Sequence, residues 1–138
     1  MNRLQIFIDD CLIRTKHVEG AAILTIKNAS VAAASARFNI LPQVRMFIDC
    51  FKHIEVTRER GLSFQDKSYT CVRADRNSVY SKSNGHGLIL VKTALYIIVA
   101  TYNENMYPSV CVEAVEKLGT MTYHYHCPGR YNSILQPR

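Results

Sequence analysis

The sequence predicts an α+β fold, an antiparallel sheet flanked by helices in the order α-β-β-α-β-β-β-β-β-α. Three observations predict it. The hydrophobic period is helical near both ends and just after Pro42, and it changes to two between Gly61 and Thr101. The strand-like runs are joined by links far shorter than the crossover of a dozen or more residues that parallel neighbours need. The strands of the second half run together while the helices sit apart from them, which is the pattern of a sheet covered by segregated helices.

Asn2 is a candidate N-cap, and Leu4, Phe7, Ile8, Cys11 and Leu12 follow at i, i+3, i+4, i+7 and i+8. Residues 2–14 are therefore an amphipathic helix with Arg3, Asp9, Asp10 and Arg14 in solvent. Gly20 introduces a strand over Ala21–Lys27, Asn28-Ala29-Ser30 turns the chain, and Val31–Ala36 completes a hairpin. Pro42 suits the first turn of a second helix, where its missing N–H costs nothing, and Val44, Phe47, Ile48 and Phe51 carry the buried stripe. Lys52–Gly61 is charged and reads as a loop or a short turn of helix. Leu62–Gln65, Ser68–Asp75, Ser78–Lys82, Leu88–Lys92 and Leu95–Thr101 are strands, punctuated by Gln65-Asp66, Arg76-Asn77 and Ser83-Asn84-Gly85. The last helix starts near Pro108-Ser109, buries Cys111, Ala114, Val115 and Leu118, and exposes Glu113, Glu116 and Lys117. It either ends near Leu118 or runs through Gly119 to about Tyr125, at a cost of ~1 kcal/mol for the glycine.

The chain has 138 residues, the size of one domain, and 48% hydrophobic residues against 20% charged are enough for a core. Seventeen Lys and Arg against eleven Asp and Glu leave a net charge of +6, which favours anionic partners without bearing on fold. Five cysteines, an odd number spread from Cys11 to Cys127, read as free thiols of a reducing cytosol. The charges near the start interrupt any secretory leader. The longest uncharged apolar run, Ala94–Ala100, falls far short of the ~20 residues of a spanning helix.

Motifs for chemistry are few. His124, His126 and Cys127 lie close together but lack the pair spacing and fourth ligand of a structural zinc site, so no metal or cofactor is expected. Cys71 and Cys111 fall on apolar stripes, where a thiol is a small hydrophobe, and no histidine is placed beside either, so no enzyme is expected. The basic residues are dispersed rather than interleaved with aromatics, which argues against nucleic acid. They are instead candidates for an anionic lipid face: Arg58, Arg60, Lys67, Arg73, Arg76, Lys82 and Lys92. Alternation along Ser68–Asp75 predicts that Tyr69, Cys71, Arg73 and Asp75 share one side of the sheet, with Lys82 and Lys92 on neighbouring strands.

Specific strings add a resemblance. QIFIDDCL near the start, GAAIL at Gly20–Leu24, FNILP at Phe38–Pro42, and the long segments Gly61–Lys82 and Gly87–Gly119 resemble the profilin family, most of all its divergent fourth, germ-cell branch in vertebrates. The resemblance covers residues 1–119 as a profilin-like domain and leaves 120–138 as a divergent tail.

The resemblance implies a cytoplasmic, cytoskeleton-associated monomer with three binding activities. For proline-rich peptides the family stacks aromatic rings. The matching positions here are Leu4, Phe7 and Ala32, and there is no tryptophan, so proline binding is expected to be weak or absent. Tyr123 and Tyr125 restore ring surface if the last helix continues. For actin the resemblance implies Arg73 and Lys82, together with the start of the last helix. There Asn105-Met106-Tyr107-Pro108-Ser109-Val110 replaces the family's glycine-rich stretch. For phosphoinositides and phosphatidic acid it implies a basic face, which asks less of geometry. The primary expectation is a regulator on anionic phospholipids in male germ-cell development. The alternative is an actin-monomer-binding protein that regulates polymerisation.

Overall fold

A computed structural model describes residues 3–125, with side chains through Thr122. The first helix, α1, spans Arg3–Phe7 and continues as a π-helical segment over Ile8–Leu12 and a 3₁₀ turn over Ile13–Thr15. Leu4, Ile8 and Leu12 are buried at steps of four. An α-turn over-rotates a four-residue step and a wider π-turn under-rotates it, so the combination keeps the three side chains in line. β1 (Gly20–Thr25) and β2 (Ser30–Ala34) form the predicted hairpin. A 3₁₀ turn, Leu41–Gln43, carries Pro42 into α2 (Val44–Lys52). The charged stretch that follows is mostly a helix, α3 (Ile54–Arg60), which lies on β4. Five strands come next: β3 (Leu62–Phe64), β4 (Lys67–Ala74), β5 (Ser78–Ser83), β6 (His86–Lys92) and β7 (Tyr96–Tyr102). α4 spans Pro108–Tyr125.

The strands form an antiparallel sheet in the order β2-β1-β7-β6-β5-β4-β3. Alternation divides the apolar side chains between its faces. On one, Leu24, Val79, Leu88, Leu90, Ile97 and Val99 meet Val44, Phe47 and Ile48 of α2, and Phe64 packs edge-on to Phe47. On the other, Ile23, Ile89, Ile98 and Ala100 meet Ile8 and Leu12 of the first helix and Cys111, Val115 and Leu118 of α4. Gln5 ties α1 to edge strand β2, donating to the Ala34 carbonyl at 2.8 Å.

Of the two endings open to the last helix, the structure takes the longer one. α4 passes through Gly119, which lies against β6: a Cβ there would stand 2.9 Å from Val91 Cγ1. Glycine therefore permits a close helix–sheet approach that offsets its poor helix propensity. Thr122, beyond it, is fully buried.

Candidate functional site: a bare sheet face beside the last helix

α1 and α4 cover β1, β7 and β6 but leave β5 and β4 open on the same face. The open area begins with an irregularity in β4. Cys71 pairs with Ser81 and Arg73 with Tyr80, so Val72 is an extra residue in a β-bulge, 62% exposed. This corrects the expected alternation. Tyr69 and Cys71 pack toward α2, whereas the bulge carries Arg73 to the opposite face. There its guanidinium lies 5.7 Å from the centre of the Tyr80 ring and 3.9 Å from the Asp75 carboxylate. Lys82 stands two residues from Tyr80, ~7 Å along β5, and is exposed beside Thr70.

The turn beyond Arg73 is held by one carboxylate. Asp75 accepts the N–H groups of Asn77 and Ser78 at 2.9 Å each, and the Ser78 hydroxyl at 3.2 Å. The Asn77 N–H foremost, then the Ser78 groups and Arg73, hold this carboxyl below the ordinary carboxylate value against a smaller opposing effect of burial.

At the other end of the strands the face continues toward α4. Lys82 pairs with Gly87, and Gly87 with Tyr102. The Tyr102 ring lies over Gly87 so closely that a Cβ would fall inside it. Burial pushes the Tyr102 hydroxyl up from its usual value. His86 Nε2 and Glu104 Oε2 are 3.7 Å apart across the neighbouring loops. Asn103 accepts the Asn105 N–H at 2.9 Å and donates to Glu19 at 3.2 Å, closing the turn that delivers Tyr107 to the start of α4. Tyr107 is 68% exposed, and Pro108 opens the helix as its chemistry allows.

The basic residues singled out in the sequence do not converge as a set. Arg73 and Lys82 share the bare face. Arg58 and Arg60 sit on α3, which packs with the opposite core, and Arg58 Nε donates to the Ala74 carbonyl at 2.9 Å. Lys67 begins β4 in the β3–β4 hairpin, and Arg76 is exposed in the turn beyond Asp75. Lys92 and Lys82 are on neighbouring strands but at opposite ends, ~17 Å apart along the strand direction. Lys92 instead lines a groove of about 720 Å³ with Val91, Glu116, Gly119 and Thr120.

The three positions named for proline recognition all lie on the helix side of the sheet. Leu4 is buried, and half-buried Phe7 and Ala32 pack against the same cluster, where α1, β2 and α4 converge. The side chains of Tyr123 and Tyr125, and the His124, His126 and Cys127 cluster, lie outside the described residues. The described cysteines are free thiols, and burial pushes Cys50 and Cys111 up to about 12, the chemistry of packing residues rather than nucleophiles. No helix among the described residues is long and apolar enough to cross a membrane.

Sequence reasoning passed over Tyr80, although its place two residues before Lys82 on a strand was a usable signal. It also gave no role to His17, which lies between the first helix and β1. No local pattern connects His17 to Tyr107, from which it is separated by 90 positions.

Comparison with known proteins agrees with this architecture. The family profile described as Profilin matches residues 2–122. Profilin-4 of Bos taurus is 50% identical over 121 residues, covering 86% of this chain and 94% of that protein. Acanthamoeba castellanii profilin IA superposes with a TM-score of 0.80 at 32% identity, over 88% of this chain and 98% of that one. A mouse profilin IIa, solved in complex with a double repeat from the FH1 domain of mDia1, shares the fold at 16% identity, with a TM-score of 0.72 over 88% of this chain and 97% of that one. The chain belongs to the profilin family, whose members are non-enzymatic, actin-binding proteins of the cytoplasmic cytoskeleton.

Proposed function

We propose that this profilin regulates actin assembly by docking actin monomers on the bare face of β4 and β5 and the adjoining start of α4. We also propose that the same cations receive anionic phospholipid headgroups, phosphoinositides or phosphatidic acid, at membranes of developing male germ cells. The observation that carries the reading is the placement of Arg73 and Lys82 beside Tyr80 on strands that no helix covers, together with the exposed Tyr107 at the start of α4. Aromatic and Arg side chains with a polar surround are the usual anchors of a protein interface.

Lipid contact rests on charge more than on shape, each exposed cation being worth about 1 kcal/mol near an anionic surface. Arg73 and Lys82 form its centre, with Arg76 nearby along the chain. Arg58, Arg60, Lys67 and Lys92 contribute from other sides, which favours weak, salt-sensitive docking. Leu4 and Ala32, aliphatic where ring stacking is needed, support weak proline-rich peptide binding through Phe7.

The double variant R73E/K82E tests the reading. Actin-monomer affinity should fall by at least about tenfold, ~1.4 kcal/mol, in a pyrene-actin assembly assay. Its unfolding free energy should stay within about 0.5 kcal/mol of the parent, as expected for surface sites. An unchanged dose response of filament yield would exclude the face as the actin site. In parallel, sedimentation with phosphoinositide vesicles at low salt should exceed that with neutral vesicles and drop in the variant. Equal sedimentation with both vesicle types excludes the lipid role.

A further inference from the structure

We propose that His17 is a positioning residue for the partner-docking face, holding Tyr107 in place at the start of α4. This inference rests on the actin reading of that face. His17 lies in the loop between the first helix and β1, and its conformation is built by its neighbours. Lys16 adopts a left-handed conformation with φ 72° and closes the 3₁₀ turn by donating to the Ile13 carbonyl at 3.1 Å. The His17 N–H donates to Thr15 Oγ1 at 3.1 Å. Glu19 then enters the sheet by donating to the Thr101 carbonyl at 2.7 Å. The imidazole is thus fixed between the end of the first helix and the first strand.

Two contacts converge from this ring on Tyr107. Nδ1 accepts the backbone N–H of Tyr107 at 2.9 Å, and the two rings stack with centroids 5.0 Å apart and planes 9° from parallel. The acceptor role defines the tautomer: Nδ1 carries no hydrogen and Nε2 carries it. Tyr107 needs such support. It precedes a proline, the residue is 68% exposed, and its carbonyl receives the N–H groups of Val110 and Cys111 at 3.1 and 3.3 Å as the helix begins. An exposed ring costs conformational entropy when a partner immobilises it, and a ring already held by stacking and by its own backbone has lost part of that freedom beforehand. His17 acts through Tyr107 rather than by touching the partner.

Two substitutions separate the contacts. His17→Asn places an amide oxygen where Nδ1 stood, keeping the acceptor and losing the ring. His17→Phe keeps a stacking ring and loses the acceptor. In the parent, NMR on ¹⁵N-labelled protein should show a ¹⁵N–¹⁵N coupling across the hydrogen bond between Tyr107 and His17 Nδ1. His17→Phe should make the Tyr107 amide exchange several-fold faster and weaken actin binding several-fold, and His17→Asn should return both toward the parent. Absence of the coupling together with parent-like amide exchange in His17→Phe overturns the anchor. Faster exchange with unchanged actin affinity overturns the positioning role. If the parent itself binds no actin, the proposed function fails, and the coupling and exchange measurements still decide whether His17 holds Tyr107.

Discussion

On the sheet face beneath α1 and α4, β7 and β6 are buried along most of their length, whereas β5 and β4 expose Lys82, Thr70 and Arg73, with Tyr80 half-buried at the edge of the core. Both halves belong to one hydrogen-bonded antiparallel sheet, so strand propensity does not separate them. What separates them is whether a helix lies above. In the covered half Ile98, Cys111, Val115 and Leu118 are fully buried, and their packing holds the fold. In the bare half only Tyr80 reaches that core, and Thr70, Arg73 and Lys82 stay exposed to a partner.

The largest break in the comparison should come from the covered half. Leu118→Ala should destabilise the protein by about 2–5 kcal/mol in urea unfolding, from lost transfer free energy and the cavity left behind. A loss under about 0.5 kcal/mol would mean that α4 does not close the core there. A smaller effect tests the approach of α4 to β6. Gly119→Ala gains ~1 kcal/mol of helix propensity but presses a methyl onto Val91, where overpacking costs ~1–3 kcal/mol. Net destabilisation of ~1 kcal/mol is expected, and a stabilised variant would contradict the close contact.

The smallest effect belongs to the turn that ends the bare half. The folded Asp75 carboxyl is held below its ordinary value, chiefly by the Asn77 N–H. The folded state therefore binds this proton less readily than the unfolded state. The stability Asp75 lends is complete above the unfolded value and is lost as pH falls through the folded one. Asp75→Asn keeps an acceptor for the turn and removes the charge. Denaturant midpoints of parent and variant should differ at neutral pH and converge on acidification, and a constant difference would assign the effect to the amide itself.

Much of the architecture was legible because it is written in local periods. The helical stripe of α2, the buried Cys111, Val115 and Leu118 of α4, and the succession of strands along the chain followed from spacing and turn residues alone, whereas the pairing of β1 with β7 did not. Other features were not. The charged stretch after Lys52 reads as a loop or a short turn of helix, left open because a short, polar-faced helix has little periodicity. It forms α3 through burial of Thr57, whose hydroxyl reaches the Cys50 carbonyl at 2.9 Å, and through contact with β4. Strict alternation in β4 misplaced Arg73 because one inserted residue, Val72, reverses every side chain after it.

The sequence by itself determined the α+β class, the antiparallel connection of the strands and the family, since each depends on neighbours a few positions apart or on strings read directly. Only the tertiary structure decided that the last helix passes Gly119, that Arg73 and Lys82 stand apart from the other cations, and that His17 meets Tyr107. Those outcomes depend on van der Waals fit and hydrogen bonds between segments tens of residues apart, and no period along the chain encodes such distances.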